Sequence, residues 1–146
     1  MGKNKEQKNI LAIDFFDLDI ISSMVQDSII LKSNMKFLKK QRSFIVLANR
    51  FKWEERDKQE RIYSIIRFQG VLSVKTKSFS KEKENLPLEL LAINYQTDGE
   101  HLIHIYLHFS GGAIIDLEVE CVECILKDLS ESWKTKTVPN HNLERL

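Results

Sequence analysis

The sequence predicts an α+β protein that is mainly antiparallel β, with about seven strands in a bent sheet or barrel, an N-terminal helix and a C-terminal amphipathic helix. Apolar and polar residues alternate as in half-buried strands, most clearly over residues 103–119. An apolar stripe with helical spacing follows at Val122, Ile125, Leu126, Leu129 and Trp133. Strands followed by one helix are the order of pleckstrin-homology-like folds, and an α+β sandwich would give the same order.

The chain begins with a predicted strand and helix. Residues 10–13 form a short apolar run, and Asp14 or Asp17 is a candidate N-cap for a helix over residues 18–27. Asp27 would place a negative charge at the negative end of the helix dipole. We therefore expect Asp27 to have a partner.

The middle of the chain predicts strands separated by turns and charged loops. Residues 61–77 are too long for one flat strand, and Gly70 predicts a bend between strands 62–68 and 71–76. The other predicted elements are strand 35–38, turn 39–42, strand 43–51, loop 54–60, strand 88–95 and turn 97–99.

The register of the hairpin over residues 103–119 follows from its pattern. A two-residue glycine loop would set Leu107 opposite Asp116, whereas a three-residue loop at 110–112 sets Leu107 opposite Ile115. The longer loop is favoured because it pairs apolar with apolar residues, and it needs Gly112 in a left-handed conformation.

That register defines an outer face of the hairpin, which is a candidate surface for a protein partner. His104 lies opposite Glu118, and Tyr106 lies opposite Asp116. His104 and His108 have a spacing compatible with a metal, but no third or fourth ligand is evident, so a surface pair is favoured and no metal site is predicted.

In chain order, the first candidate site is a polar constellation from the first half of the chain, and the hairpin face is the second. The constellation consists of Gln26, Asp27, Asn49, Arg50, Trp53 and Glu54. If Asp27 and Arg50 met, a ligand with a carboxylate or phosphate would compete for Arg50, and the indole would wall a pocket. A purely structural Asp–Arg bridge between the helix and the sheet is the favoured interpretation.

Net charge is +1, but its distribution along the chain is uneven. The basic segment 32–52 contains seven cations and no acid: Lys32, Lys36, Lys39, Lys40, Arg42, Arg50 and Lys52. Residues 98–131 are strongly acidic. The basic segment would either bind RNA or lie beside the acidic segment and be neutralised, and the second interpretation is favoured because stacking aromatics are not interleaved with the cations.

At 146 residues the chain is predicted to be a single domain, residues 1–146, with a disordered tail at 1–8 and an extended tail at 137–146. It contains no apolar run long enough to cross a membrane and no secretory segment. With two cysteines, Cys121 and Cys124, this predicts a reducing cytoplasmic location. The C-x-x-C spacing could suggest a zinc site, or a redox site at the start of a helix, but a structural role is favoured because the motif has no Pro or Gly spacer and no βαβ context.

Several short motifs occur in order along the chain. They are Leu11-Ala12-Ile13-Asp14 with Asp17-Leu18, then 23–27, then Asn49-Arg50-Phe51 with Trp53-Glu54, and finally 117–121. With these motifs the chain resembles the uncharacterised bacterial DUF2948 family over about residues 10–141. The resemblance implies a small intracellular bacterial protein and implies no activity, cofactor or partner.

The expected function is a non-enzymatic binding or adaptor module for a protein partner. The alternatives are a small ligand-binding protein or enzyme with its pocket near Asp27, Arg50 and Trp53, and RNA binding through the basic segment. Common catalytic signatures are absent, so no catalytic residue or cofactor is assigned, although an enzyme is not excluded. The sequence leaves the oligomeric state open.

Overall fold

The computed structural model describes residues 8–79, 86–98, 102–129, 131–136 and 138–139. These residues form one α-helix and eleven strands of a single antiparallel sheet. In chain order the elements are β1 (Asn9–Ala12), α1 (Phe15–Met24), β2 (Ser28–Leu31), β3 (Met35–Leu38), β4 (Ser43–Phe51), β5 (Glu60–Gln69), β6 (Val71–Lys77), β7 (Pro87–Thr97), β8 (Ile103–Phe109), β9 (Ile114–Val119), β10 (Cys124–Asp128) and β11 (Trp133–Lys134). The predicted β-rich α+β class is therefore confirmed.

The sheet is open, and its strand order is β1-β10-β5-β4-β2-β7-β8-β9-β6, with β3 beside β4 and β11 beside β5. β5 and β6 are separated in the chain only by Gly70, which has a left-handed φ of 73°. Yet β5 is third in the order and β6 is last. The sheet must therefore curve until these two positions meet, and the predicted bend at Gly70 is confirmed.

The core lies inside this curve. Alternate residues of the strands point inward, and those of β8 and β9 include Ile105, Leu107, Ile115 and Leu117, which are almost fully buried. α1 covers the core with Leu18 and Ile21, and Val25, which follows the helix, is buried beside them.

The helix begins and ends earlier than predicted. The Asp14 carboxylate accepts a hydrogen bond from the Asp17 backbone N–H at 2.8 Å. Of the two predicted candidates, Asp14 is therefore the N-cap. Val25 caps the other end, and Asp27 has a left-handed φ of 63° that no helix residue adopts. Asp27 therefore begins the connection to β2 and does not belong to the helix.

The prediction of a C-terminal amphipathic helix is wrong, because its residues Cys124–Asp128 form the strand β10. Val122, Cys124, Leu126 and Asp128 are buried in alternation, which is the period of a strand, and β10 pairs with β1 on one side and β5 on the other. The alternation was hidden in the sequence because Asp128, a charged residue, occupies a core position. Both edges of β10 gain hydrogen bonds, and this tertiary pairing overrides the helical spacing of the apolar residues.

The prediction of about seven strands was also wrong. β2, β10 and β11 were not among the predicted strands, and β11 has only two residues. The two local hairpins are confirmed: β3 and β4 have the predicted bounds, and β8 pairs with β9 in the predicted register. The loop is the three-residue turn, with Gly112 at φ 83°.

The tail predicted at 1–8 lies outside the described residues except for Lys8, as does the tail at 137–146 except for residues 138 and 139. Gly99 of the predicted turn 97–99 also lies outside them. Within the described part of the chain, no helix is both long and apolar enough to cross a membrane.

Candidate functional site

Arg50, the basic residue of the first candidate site, is fully buried and holds two carboxylates. Its Nε and Nη2 donate to the two oxygens of Asp128 at 3.0 and 2.9 Å. Its Nη1 and Nη2 donate to the two oxygens of Glu54 at 2.9 and 2.8 Å. Ser64 on β5 donates to Asp128 as well. The expected bridge from Arg50 to Asp27 is therefore not formed, because Asp128 and Glu54 are the carboxylates that Arg50 binds.

These contacts change the proton affinity of both acids. Burial alone would raise the pKa of Asp128, but hydrogen bonds from Arg50 and Ser64 outweigh it and leave the pKa below its ordinary value. The pKa of Glu54 is also lowered, because the hydrogen bonds and charge of Arg50 outweigh the effect of burial. Both acids are therefore ionised at neutral pH, and a ligand would have to displace a carboxylate to reach Arg50.

The other residues of the first candidate site are divided between two faces of the sheet. Asn49 and Arg50 are neighbours on β4, so their side chains point to opposite faces. The Asn49 side chain accepts a hydrogen bond from Arg61 at 3.3 Å, while the Trp53 indole N–H donates to the Gln26 backbone oxygen at 2.8 Å. Asn49 and Arg50 therefore cannot line the same pocket.

Asp27, the last residue of that site, is buried, and its backbone N–H donates to the Leu90 oxygen at 2.7 Å. Its charge acts on Arg61: burial lowers the pKa of Arg61, and the carboxylates of Asp27 and Glu89 partly oppose that shift. Asp27 was expected to have a partner, and Arg61 is one residue with which it interacts electrostatically. The sequence interpretation did not consider Arg61.

Two cations of the basic segment are inside the protein. Arg50 and Lys52 are both fully buried, and the Lys52 ammonium lies 2.7 Å from the Glu55 carboxylate. Hydrogen bonds from Lys52 and Lys58 lower the pKa of Glu55 to about 2. Arg42 forms an ion pair with Glu120 at 3.5 Å. The basic surface is thus smaller than the sequence suggests, and RNA binding stays a prediction.

The second candidate site is the outer face of the β8–β9 hairpin. In the confirmed register, His104 lies opposite Glu118 and Tyr106 lies opposite Asp116. The His104 Nδ1 is 2.8 Å from the Asp116 Oδ1, and its Nε2 is 4.0 Å from the Glu118 carboxylate. His104 therefore sits between two carboxylates on a half-buried surface.

Three rings form a row along this face of β8. The His104 and Tyr106 rings are nearly parallel with centroids 6.0 Å apart, and the Tyr106 and His108 centroids are 6.2 Å apart. The middle and one end of the row are tied to the neighbouring strand β7, because the Tyr106 hydroxyl donates to Gln96 at 3.4 Å and His108 Nε2 is 2.8 Å from the Asn94 Oδ1. These contacts restrict the side chains, so they present a largely pre-formed surface.

A groove of about 650 Å³ crosses this outer face over β7, β8, β9 and β6. It is lined by Lys75, Thr76, Lys77, Asn94, Tyr95, Gln96, Tyr106, His108, Ile114 and Asp116. Of the predicted surface, Tyr106 and Asp116 line the groove, whereas His104 and Glu118 are not among its lining residues. The sequence interpretation missed Lys75 and Lys77. The alternation of residues 71–77 was visible in the sequence, but the pairing of β6 with β9 was not, since β6 follows β5 in the chain.

A separate apolar groove of about 550 Å³ lies over β2, β4 and β5. It is lined by Ile29, Leu31, Asn34, Leu47, Asn49, Tyr63, Pro87 and Leu129. Asn49 is the one residue of the first candidate site that lines it. The groove carries no charged side chain, so it offers little chemistry beyond apolar contact.

The described residues contain no group of three or more His, Cys, Asp or Glu side chains placed to hold a metal ion. Cys124 is buried in β10, and burial raises the pKa of its thiol well above the ordinary value, which disfavours the reactive thiolate. Cys121 is exposed at the preceding turn. The pair therefore does not form a redox site at a helix start, which the C-x-x-C spacing had left open.

Comparison with known proteins agrees with the resemblance drawn from the short motifs. A family model described as "Protein of unknown function (DUF2948)" matches residues 9–141. No curated protein and no solved structure is similar enough to the chain to match it. Because the family model covers most of its length, the chain belongs to the DUF2948 family.

Proposed function

We propose that this chain is a small cytoplasmic bacterial binding module, without catalytic activity of its own, that holds a protein partner on the outer face of β6, β7, β8 and β9. The observation that carries the proposal is the groove of about 650 Å³ across these four strands. It overlaps, at Tyr106 and Asp116, with the surface that the alternation of β8 and β9 predicts. Tyr106 stands in its middle, and tyrosine is enriched at protein interfaces because a large apolar ring carries a polar tip.

The composition of the face fits a protein partner better than a reaction. The groove is shallow and open, and its side chains provide donors, acceptors and ring surfaces. The His108 Nε2 contacts the Asn94 amide oxygen at 2.8 Å, and the groove is lined by no serine or cysteine, two side chains that a histidine commonly activates as nucleophiles. The alternative pocket near Asp27, Arg50 and Trp53 is supported less, since Arg50 is already bound to Asp128 and Glu54.

The test is a pull-down from the native cytoplasm with three tagged proteins. They are the wild type, the double variant Tyr106→Ala/His108→Ala on the outer face, and the control variant Lys39→Ala/Lys40→Ala on the β3–β4 turn. We expect one protein to co-purify stoichiometrically with the wild type and the control and to be lost from the outer-face variant. Circular dichroism and thermal unfolding establish that all three are folded.

Other outcomes contradict the proposal. A partner that binds all three proteins equally would place its site elsewhere, and the absence of any partner would favour a small-molecule ligand. Nucleic acid that is lost from the Lys39→Ala/Lys40→Ala variant and at moderate salt would favour the basic segment.

A further inference from the structure

Two exposed lysines stand at one end of the groove. Lys75 and Lys77 are two positions apart on β6, so both side chains point to the same face. Among the residues that the structure describes, neither ammonium is within ion-pair distance of a carboxylate. The acid opposite Lys75 in the register is Asp116, but its Oδ1 is turned to His104 at 2.8 Å. No acid in the described part of the chain therefore competes with an external anion for these lysines.

The other end of the groove is neutral. Asn94 and Gln96 of β7 line it there, and both amides already contact the row of rings. The floor between the two ends is formed by Tyr106, His108 and Ile114, together with Asp116, whose carboxylate is 2.8 Å from His104. The side chains that line the groove thus change along its length, from basic on β6, through mainly aromatic and apolar on β8 and β9, to amide on β7.

The dimensions suit an extended chain. Four adjacent strands are about 14 Å across, because neighbouring strands lie about 4.8 Å apart. An extended peptide advances about 3.3 Å per residue, so roughly four residues would span the groove. Alternate side chains of such a peptide would face the floor.

Building on the proposed function, we propose that the groove takes a short, extended, acidic segment of a protein partner. Its carboxylates bind Lys75 and Lys77, and an aromatic or aliphatic side chain packs on Tyr106 and Ile114. Charge complementarity selects this occupant, because the cations are confined to one end. A nucleic acid would place phosphates along the whole groove, including the end on β7, where Asn94 and Gln96 provide no cation to bind them.

The test uses a random peptide library displayed on phage and selected against the full-length protein. The matched proteins are the wild type, Lys75→Gln/Lys77→Gln, and the control Lys39→Gln/Lys40→Gln, which removes the same charge from another exposed site. We expect the wild type and the control to enrich peptides with clustered Asp and Glu next to an apolar residue. We expect Lys75→Gln/Lys77→Gln to lose that enrichment.

The affinity of the best enriched peptide is then measured by fluorescence anisotropy. Binding to Lys75→Gln/Lys77→Gln should be about ten-fold weaker, because two exposed ion pairs are lost. The difference should shrink as salt screens the charges. The peptide with each Glu and Asp replaced by Gln and Asn should bind all three proteins alike.

Enriched peptides without an excess of acids, equal enrichment by all three proteins, or no enrichment at all would each overturn this inference. Adding Lys75→Gln/Lys77→Gln to the pull-down described for the proposed function separates a failure of this inference from a failure of the proposed function. A partner that is lost from Tyr106→Ala/His108→Ala but retained by Lys75→Gln/Lys77→Gln supports the binding face and rejects the acidic segment.

Discussion

Arg50 and Asp128 are 78 residues apart in the chain, yet two parallel hydrogen bonds of 3.0 and 2.9 Å join the guanidinium to the carboxylate. The pair ties β4 to β10 across β5, from which Ser64 donates to the same carboxylate. Since both side chains are fully buried, each neutralises a charge that would otherwise be isolated from water.

We expect Asp128→Ala to lower the free energy of unfolding by about 3–5 kcal/mol, because it leaves the Arg50 charge buried with one carboxylate fewer. Urea denaturation measures the loss. Asp57→Ala removes an exposed acid from the turn after β4 and should change stability by less than about 0.5 kcal/mol. A loss for Asp128→Ala no larger than that of Asp57→Ala would contradict a structural role for the pair.

The double variant Arg50→Met/Asp128→Leu removes both charges and leaves apolar groups in their place. We expect it to be more stable than Asp128→Ala, because neither charge of the pair is left buried without the other, and Glu54, which also loses Arg50, has a partly exposed side chain that water can reach. The comparison of the unfolding free energies of the single variants Arg50→Met and Asp128→Leu with that of the double variant measures the coupling. Additive losses would mean that the two side chains act independently.

Stability should fall in acid. The folded pKa values of Asp128 and Glu54 lie below their ordinary values of 3.8 and 4.5. Their contribution is therefore fully present above these ordinary values and is lost as pH falls through the folded pKa values. Urea midpoints measured from pH 7 down to pH 2 should decrease below about pH 4.5. The decrease should be smaller in Asp128→Asn, and an identical decrease would exclude Asp128 as a cause.

The bend between β5 and β6 should depend on its glycine. Gly70 has a φ of 73°, and an added Cβ would meet no atom within 4 Å, so the cost of a substitution is conformational. We expect Gly70→Ala to lower the free energy of unfolding by about 1 kcal/mol and Gly70→Val by more, since left-handed backbone is unfavourable for side chains with a Cβ. Gly70→Asn should lose less than Gly70→Val, because asparagine tolerates this conformation. Equal stability of all three variants would argue against the left-handed bend.

The two cysteines should react at different rates. Cys121 is exposed, whereas Cys124 is buried and its pKa is raised. Under native conditions a thiol reagent should modify Cys121 rapidly and Cys124 only after unfolding, and mass spectrometry of the modified peptides measures both rates. Fast modification of Cys124 in the folded protein would show that β10 opens readily.

The sequence was a good guide to local pairings and a poor one to distant pairings. The β8–β9 register could be derived because Leu107 and Ile115 are separated by one short turn. A shift of one residue would have moved every side chain of one strand to the opposite face of the sheet. The strand β10 could not be recognised, because Asp128 looks like a surface residue until Arg50 is placed beside it.

The candidate binding face shows the same contrast. His104, Tyr106 and Glu118 were placed on one surface from the alternation of β8 and β9 alone. Lys75 and Lys77 join that surface only because β6 pairs with β9, and that pairing follows from the curvature of the whole sheet. Arg50 was selected because a guanidinium can bind a carboxylate or phosphate of a ligand. The structure shows that it binds two carboxylates of the protein itself, those of Asp128 and Glu54.

The position of β1 beside β10 has a consequence for the order in which the protein forms. Lys8, which directly precedes β1, donates its backbone N–H to Asp128, which is 120 residues further along the chain. During synthesis from the N-terminus, β1 has no strand to pair with until β10 has been made. Closing so long a loop is entropically costly, so docking of β1 belongs to the last steps of folding. The strand that leaves the ribosome before every other described strand is therefore among the last to reach its native place.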